Sequence, residues 1–290
     1  MSPRWSWRDL AALGAAGAVA VFAAVVAAGY FLLLPGRRRE SLRLYRILMP
    51  DASPAVHRRL AWRQFQGFAR VYVEERLLDV PGWLRSESEG EEHLARAVRE
   101  HGSAVLVMSH VGSPSLAARV LAKRGTALTL VKGTRDEAVA AASAAGAGGL
   151  RVEVRPPHAA AGPTVVELLA RVRAGELVSL AGDRSWVPGS RQLAVVIAGH
   201  VARVAAAPFA LAMTARVPAL VCFAVRVGRR RYRFECLPPL WLEGEGPTER
   251  ARALERAADR YAAALEARMR AHPEQCYTFE RFLHEPVGGE

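Results

Sequence analysis

Apolar and polar positions change their period several times along this chain, and each change marks an element. Residues 10 to 34 form one uncharged run rich in Ala, Val and Leu. At 1.5 Å per residue, such a run crosses a hydrocarbon core of about 30 Å with some tilt. From 37 to 79, apolar residues recur at helical spacing on both sides of a Pro50-Asp51-Ala52-Ser53-Pro54 break. Leu42, Tyr45 and Leu48 come before it, and Leu60, Phe65, Phe68, Val71 and Tyr72 after it. Pro81-Gly82-Trp83 interrupts, and residues 88 to 101 read as a helix.

The period then shortens. Residues 104 to 108 are a continuous apolar run, the pattern of a buried strand, and after Ser109 the run has ended at His110. A Gly112-Ser113-Pro114 turn leads into an apolar helix reaching Lys123, with Ser113 suited to the N-cap and Pro114 to the first helical position. Further strands are predicted at 127–132, 151–155 and 177–181, and further helices at 136–147 and 164–174. Strands alternating with helices imply a largely parallel sheet with right-handed crossovers. Beyond Gly182-Asp183-Arg184 the pattern changes to a hairpin (193–197 and 199–204), an apolar helix (207–214) and a second hairpin around Gly228-Arg229-Arg230 (220–227 and 231–237). A long amphipathic helix over 247–270 follows, with Arg268 and Arg270 at the end its dipole favours for cations. The predicted fold is α/β: a mixed, largely parallel sheet flanked by helices, behind one N-terminal transmembrane helix. Residues 1–36 form the anchor, 37–285 a single domain and 286–290 a polar tail.

Composition adds a core and a charge. Apolar residues make up 51% of the 290, enough for one sizeable core. Forty Lys and Arg against 28 Asp and Glu leave a net charge of +12, and the only lysines are Lys123 and Lys132. Arg with abundant Ala, Gly and Val is also what a GC-rich genome produces. The charge favours an anionic partner, such as acidic phospholipid or an acidic carrier protein. No helix-turn-helix, zinc-finger or RRM signature points to nucleic acid. Arg37, Arg38 and Arg39, with Arg43 and Arg46, outnumber Arg4 and Arg8 across the apolar run. The positive-inside rule then puts the domain in the cytoplasm, on a single-pass anchor in the inner (cytoplasmic) membrane. The length of the run and the basic cluster after it weigh against a cleaved signal peptide. The basic, aromatic helices over 37–79 suit an anionic membrane surface or ordinary packing on a core. The Arg229–Arg233 run suits a solvated hairpin tip or a docking point for an acidic carrier. Three cysteines, Cys222, Cys236 and Cys276, lack metal spacing and read as reduced thiols.

The candidate chemistry collects at strand ends. His110 closes a strand just before a helix, at the sheet edge where α/β proteins place ligands. A histidine there suits a general base. Asp183 and Arg184 close a later strand. They form either an exposed turn pair worth about 0–1 kcal/mol, or a carboxylate that orients His110 beside a cation that binds phosphate or stabilises an oxyanion. Lys132 and Arg135 end the intervening strand and extend a basic rim. Backbone amides at the helix start after Gly112 are candidate oxyanion donors. A Gly-x-Ser-x-Gly elbow, a phosphate-binding glycine loop, a His-x-x-Glu-His run and a Cys pair are all missing from the sequence, so no metal or cofactor is implied.

Several pieces, taken in order, resemble one family. They are Ser109-His110-x-Gly112, Leu180-x-Gly182-Asp183-Arg184, the Gly199 hairpin and Ala207-Pro208 opening an apolar helix. Ala215-x-Val217-Pro218 and His272-Pro273-Glu274-Gln275 complete the set. The resemblance is to the bacterial late acyltransferases of lipid A biosynthesis and their relatives in glycolipid and phosphatidylinositol-mannoside acylation, and it covers most of residues 40 to 285. It implies transfer of a fatty acyl chain from an acyl thioester, on acyl carrier protein or acyl-CoA, to a hydroxyl of a membrane lipid. It implies no cofactor, because the thioester already carries the activation. In that family a His is followed, five positions on, by an acid that holds the imidazole. The fifth residue after His110 is Ser115, which carries no charge. Three readings stand open. His110 works with Ser115 or with another acid, Asp183 being the candidate. The enzyme is slow or uses a more activated donor. Or the protein binds a lipid or carrier without turnover.

Overall fold

The computed structural model describes residues 7–76, 84–123, 127–132, 150–154, 165–184 and 189–287. Three helices come first: α1 (Trp7–Leu33), α2 (Pro35–Leu48) and α3 (Pro54–Arg76). An alternating set follows: β1 (Arg85–Glu89), α4 (Glu91–His101), β2 (Val105–Met108), α5 (Pro114–Lys123), β3 (Leu128–Lys132), β4 (Leu150–Val154), α6 (Val165–Arg173) and β5 (Leu177–Ala181). The chain ends with β6 (Gln192–Ile197), β7 (His200–Ala205), α7 (Ala207–Ala215), β8 (Ala219–Gly228), β9 (Arg231–Cys236), α8 (Gly246–Ala271), a single 3-10 turn (Pro273–Gln275) and β10 (Leu283–Pro286).

The main sheet has seven strands in the order β1-β9-β8-β2-β5-β3-β4, and β10-β7-β6 form a small antiparallel sheet. β8, β2, β5, β3 and β4 run parallel, while β9 is antiparallel to β8 and carries β1 beside it. The expected mixed, largely parallel sheet is therefore present. β2 is buried at all four positions, because helices cover both faces of its sheet; such strands read as unbroken apolar runs. Leu94 of α4 and Ala118 and Leu121 of α5 pack with Leu106 and Met108 on one face. Phe209 of α7 and Tyr261 of α8 pack with Val107 and the small sheet on the other.

Two elements depart from the sequence reading. The helix expected over 88–101 is a strand and a helix, β1 and α4, divided at Gly90. β1 is an edge strand of sequence Arg-Ser-Glu-Ser-Glu with no apolar alternation to reveal it. It is held by pairing in register with β9, where Glu87 accepts a hydrogen bond from Arg233 at 2.8 Å. The closing tail expected from 286 begins inside β10, which pairs with β7. Arg43 of α2 fixes β10 by donating to the carbonyls of Leu283 and His284. The helix expected over 136–147 lies outside the described residues.

α1 packs along α3. Phe31 meets Trp62 and Phe65 edge-on, with ring centroids 5.5 and 5.3 Å apart, and Ala23 and Ala27 are buried beneath them. The outer face of α1 leaves Val21, Phe22, Val25, Leu32 and Leu33 exposed. Among the described residues no single helix is long and apolar enough to cross a membrane. Val21–Leu33 and Pro35–Leu48 reach that length and composition together, as a pair bent by 95°.

Candidate active site

The site sits at the carboxyl ends of β2 and β5, which are neighbours. Their last residues, Met108 and Ala181, are register partners. Two residues beyond each lies one half of the site, His110 on the β2 side and Asp183 on the β5 side. They lie 73 positions apart in the sequence, and β5 stands between β2 and β3 in the sheet.

His110 Nδ1 lies 2.9 Å from Asp183 Oδ1, and the His110 backbone N–H donates to Asp183 Oδ2 at 2.6 Å. Both carboxylate oxygens are thus directed at one residue. The Asp183 side chain is 5% exposed and that of His110 16%, so the acid is enclosed while the imidazole keeps an outward edge. Burial by itself pushes the Asp183 pKa up. The charge of His110 and its two hydrogen bonds, with a smaller contribution from Arg184, outweigh burial and hold the carboxyl below its ordinary value. A carboxylate accepts and cannot donate, so it selects the tautomer with the proton on Nδ1 and the lone pair on Nε2.

The turn after His110 is fixed from three sides. Tyr277 N–H donates to the His110 carbonyl at 2.7 Å, Gly112 N–H donates to Gln275 O at 3.0 Å, and Ser113 N–H donates to Ala224 O at 2.9 Å. Gln275 in turn clasps the backbone of Arg226 with both ends of its amide. Gly112 has φ of +80°, and a Cβ there would run into the Ala224 carbonyl; only glycine makes this close approach without strain. Ser113 caps α5 by accepting from Leu116 N–H at 3.1 Å, and its hydroxyl donates to Glu75 of α3.

Of the backbone amides around this turn, those of Gly112 and Ser113 are bonded to carbonyls and that of Leu116 to the Ser113 hydroxyl, and Gly112 serves as a turn residue. Ser115 is nearly buried on the first turn of α5, and no hydrogen bond joins it to His110 among the described residues. Asp183 occupies the place beside the imidazole. Arg184 follows it at the same edge, half-buried. Lys132 ends β3 at that edge, and its side chain lies outside the described residues, as does Arg135. Among the described residues no three His, Cys, Asp or Glu side chains converge on one point.

The sequence reading missed Tyr261, Glu75 and Tyr277. Tyr261 is fully buried on α8, and its hydroxyl donates to the Met108 carbonyl at 3.1 Å. Its pKa is well above that of an ordinary phenol, chiefly from burial, with the Asp183 charge adding and a hydrogen bond from the Asp183 backbone opposing. In the sequence it is one more apolar position on an amphipathic helix, and only the position of α8 over the β2 and β5 ends gives its hydroxyl a role. The cysteines are free thiols, all buried, with Cys222 and Cys236 paired across β8 and β9.

A family profile described as bacterial lipid A biosynthesis acyltransferase matches residues 8–284. No curated protein sequence matches the chain.

Proposed function

From the premise that this chain belongs to the bacterial lipid A biosynthesis acyltransferase family, we propose that it moves a fatty acyl chain from an acyl thioester, carried by acyl carrier protein, to a hydroxyl of a membrane glycolipid, with His110 as general base. The observation that carries this reading is the enclosed Asp183 carboxylate on His110 Nδ1. In this mechanism His110 Nε2 takes the proton of the acceptor hydroxyl as the oxygen attacks the thioester carbonyl. Asp183 fixes the tautomer and stabilises the imidazolium that forms. Collapse of the tetrahedral intermediate breaks the C–S bond, and the imidazolium returns its proton to the departing thiolate. Arg184 lies at the same edge and is the cation assigned to the developing oxyanion or to a phosphate of either substrate. Ser115 has no part in proton transfer in this reading.

The membrane assignment is part of the same proposal. The exposed apolar face of α1, continuing into Arg37, Arg38 and Arg39, supports attachment to the inner membrane with the site on the cytoplasmic side. The competing class, a silent lipid- or carrier-binding protein of the same fold, draws on the uncharged residue at position 115. Transfer of a labelled acyl chain from acyl carrier protein into total membrane lipid, wild type against His110→Ala, separates the two. Label entering a lipid with wild type alone supports the enzyme and identifies the acceptor. A wild type that transfers nothing over a range of chain lengths, while still binding lipid, sinks it.

A further inference from the structure

The ends of β2 and β5 must stay in register for His110 and Asp183 to meet. The strand ladder stops at Met108 and Ala181, so beyond it the two chains would be free to splay. One direct bond continues the ladder, from Gly182 N–H to the Met108 carbonyl at 2.8 Å. The second lone pair of that carbonyl takes the hydroxyl of Tyr261 at 3.1 Å. The ring stands against Gly182, where a Cβ would lie 2.7 Å from Tyr261 Cζ and 2.7 Å from Val107 Cγ1. Tyr261 therefore presses on the residue before Asp183 while it bonds the second residue before His110. It is completely buried, and its other side rests on Phe209 with ring centroids 5.9 Å apart. A phenylalanine would fill the same space. The hydroxyl is needed only for its bonds to the strand ends, donating to the Met108 carbonyl and accepting from the Asp183 backbone.

We infer that Tyr261 is a positioning residue for the reaction, a clamp from α8 that holds the His110 and Asp183 backbones at the spacing their hydrogen bonds require. The inference rests on the reading of His110 as the base held by Asp183. A buried phenol anchored on one carbonyl and seated on a glycine has almost no freedom to move. The two site residues inherit that rigidity, which a catalytic pair needs if its geometry is to be held within a fraction of an ångström.

Tyr261→Phe removes the hydroxyl and keeps the ring. Its loss should lower kcat roughly fivefold to tenfold, the worth of one buried neutral hydrogen bond, with KM unchanged. In an Asp183→Asn background the same substitution should cost nothing further, because the group it positions is gone. A purely structural tyrosine would cost the same factor in both backgrounds, and that result overturns the inference. A second readout needs no turnover. In full-length protein labelled with ¹⁵N-histidine, the Nδ1 proton of His110 should give a low-field resonance that Asp183→Asn abolishes. Tyr261→Phe should broaden that resonance or speed its exchange with water at least severalfold. An unchanged resonance in Tyr261→Phe contradicts the clamp. If wild type transfers no acyl chain, the proposed function fails on that result, and the resonance still decides the role of Tyr261.

Discussion

An imidazole serves as a base only through the nitrogen that carries no proton, so the group on the other nitrogen decides whether it works. At His110 that group is Asp183, and the acid lies far along the chain, not on the next turn of helix. A carboxylate at position 115 would sit on the first turn of α5, where Ser115 is nearly buried. Substituting Ser115→Ala should leave kcat within a fewfold of wild type, as measured by acyl transfer. The depressed pKa of Asp183 also makes a statement about stability. The folded protein holds this carboxylate ionised at pH values where the unfolded chain, titrating near about 3.9, begins to take up protons. Its contribution is therefore fully present above that value and is lost as pH falls through the lower, folded one. The difference in melting temperature between wild type and Asp183→Asn should shrink as pH falls below about 3.9, as followed by circular dichroism. The residues that chemistry marks, His110 and Asp183, were legible in the sequence because each follows an apolar run that ends abruptly. Tyr261 was not legible, because a buried hydroxyl on an apolar helix face looks like any other core aromatic until its neighbour is known.

At the scale of elements, the parallel layer was the most readable part. β2 is an unbroken apolar run and β5 is interrupted only by the buried Ser179, because both faces of their sheet are covered, and the Ser-His-x-Gly and Gly-Asp-Arg ends mark where they stop. β1 was hidden, since an edge strand whose side chains are satisfied by salt bridges to β9 needs no apolar period. β10 was hidden because it is short and anchored by Arg43 from a distant helix. The turn between β2 and α5 is an element-level device, built from a Ser113 cap, a Gly112 close approach and the clasp of Gln275. Replacing Ser113 with Ala removes the cap and the bond to Glu75, and should cost about 1 kcal/mol of stability in denaturant unfolding. The Gly112 and Ser113 amides are already bonded, so that substitution should disturb stability more than it disturbs kcat. A kcat loss far beyond the stability change would instead give the α5 terminus a direct role in charge stabilisation.

At the scale of the molecule, one end of the domain combines everything the proposed reaction uses. The carboxyl edge of the parallel sheet holds His110, Asp183 and Arg184. Packed alongside is α3, whose Glu75 reaches Ser113, and α1 lies along α3 with an apolar face turned outward. In the membrane-bound state proposed above, this arrangement would bring a lipid acceptor close to the base. The positive charge and the apolar run were visible in the sequence. The 95° angle between Val21–Leu33 and Pro35–Leu48 was not, because Leu34-Pro35-Gly36 reads only as a stop and gives no direction for the next helix. For the full chain in its native membrane, the prediction is resistance to carbonate extraction. A single cysteine placed after Arg39 should react with impermeant reagents only when the cytoplasmic face is open. Labelling from the opposite face would reverse the assigned topology.

The most direct test of the central claim is kcat for acyl transfer from acyl carrier protein, compared between Asp183→Asn and Ser115→Ala. Asp183→Asn should lose activity by a factor on the order of 10⁴, as when an imidazole is left in the wrong tautomer, while Ser115→Ala stays within a fewfold of wild type. The reverse ranking, with Asp183→Asn active and Ser115→Ala dead, would contradict it and return the orienting role to the position five residues after His110.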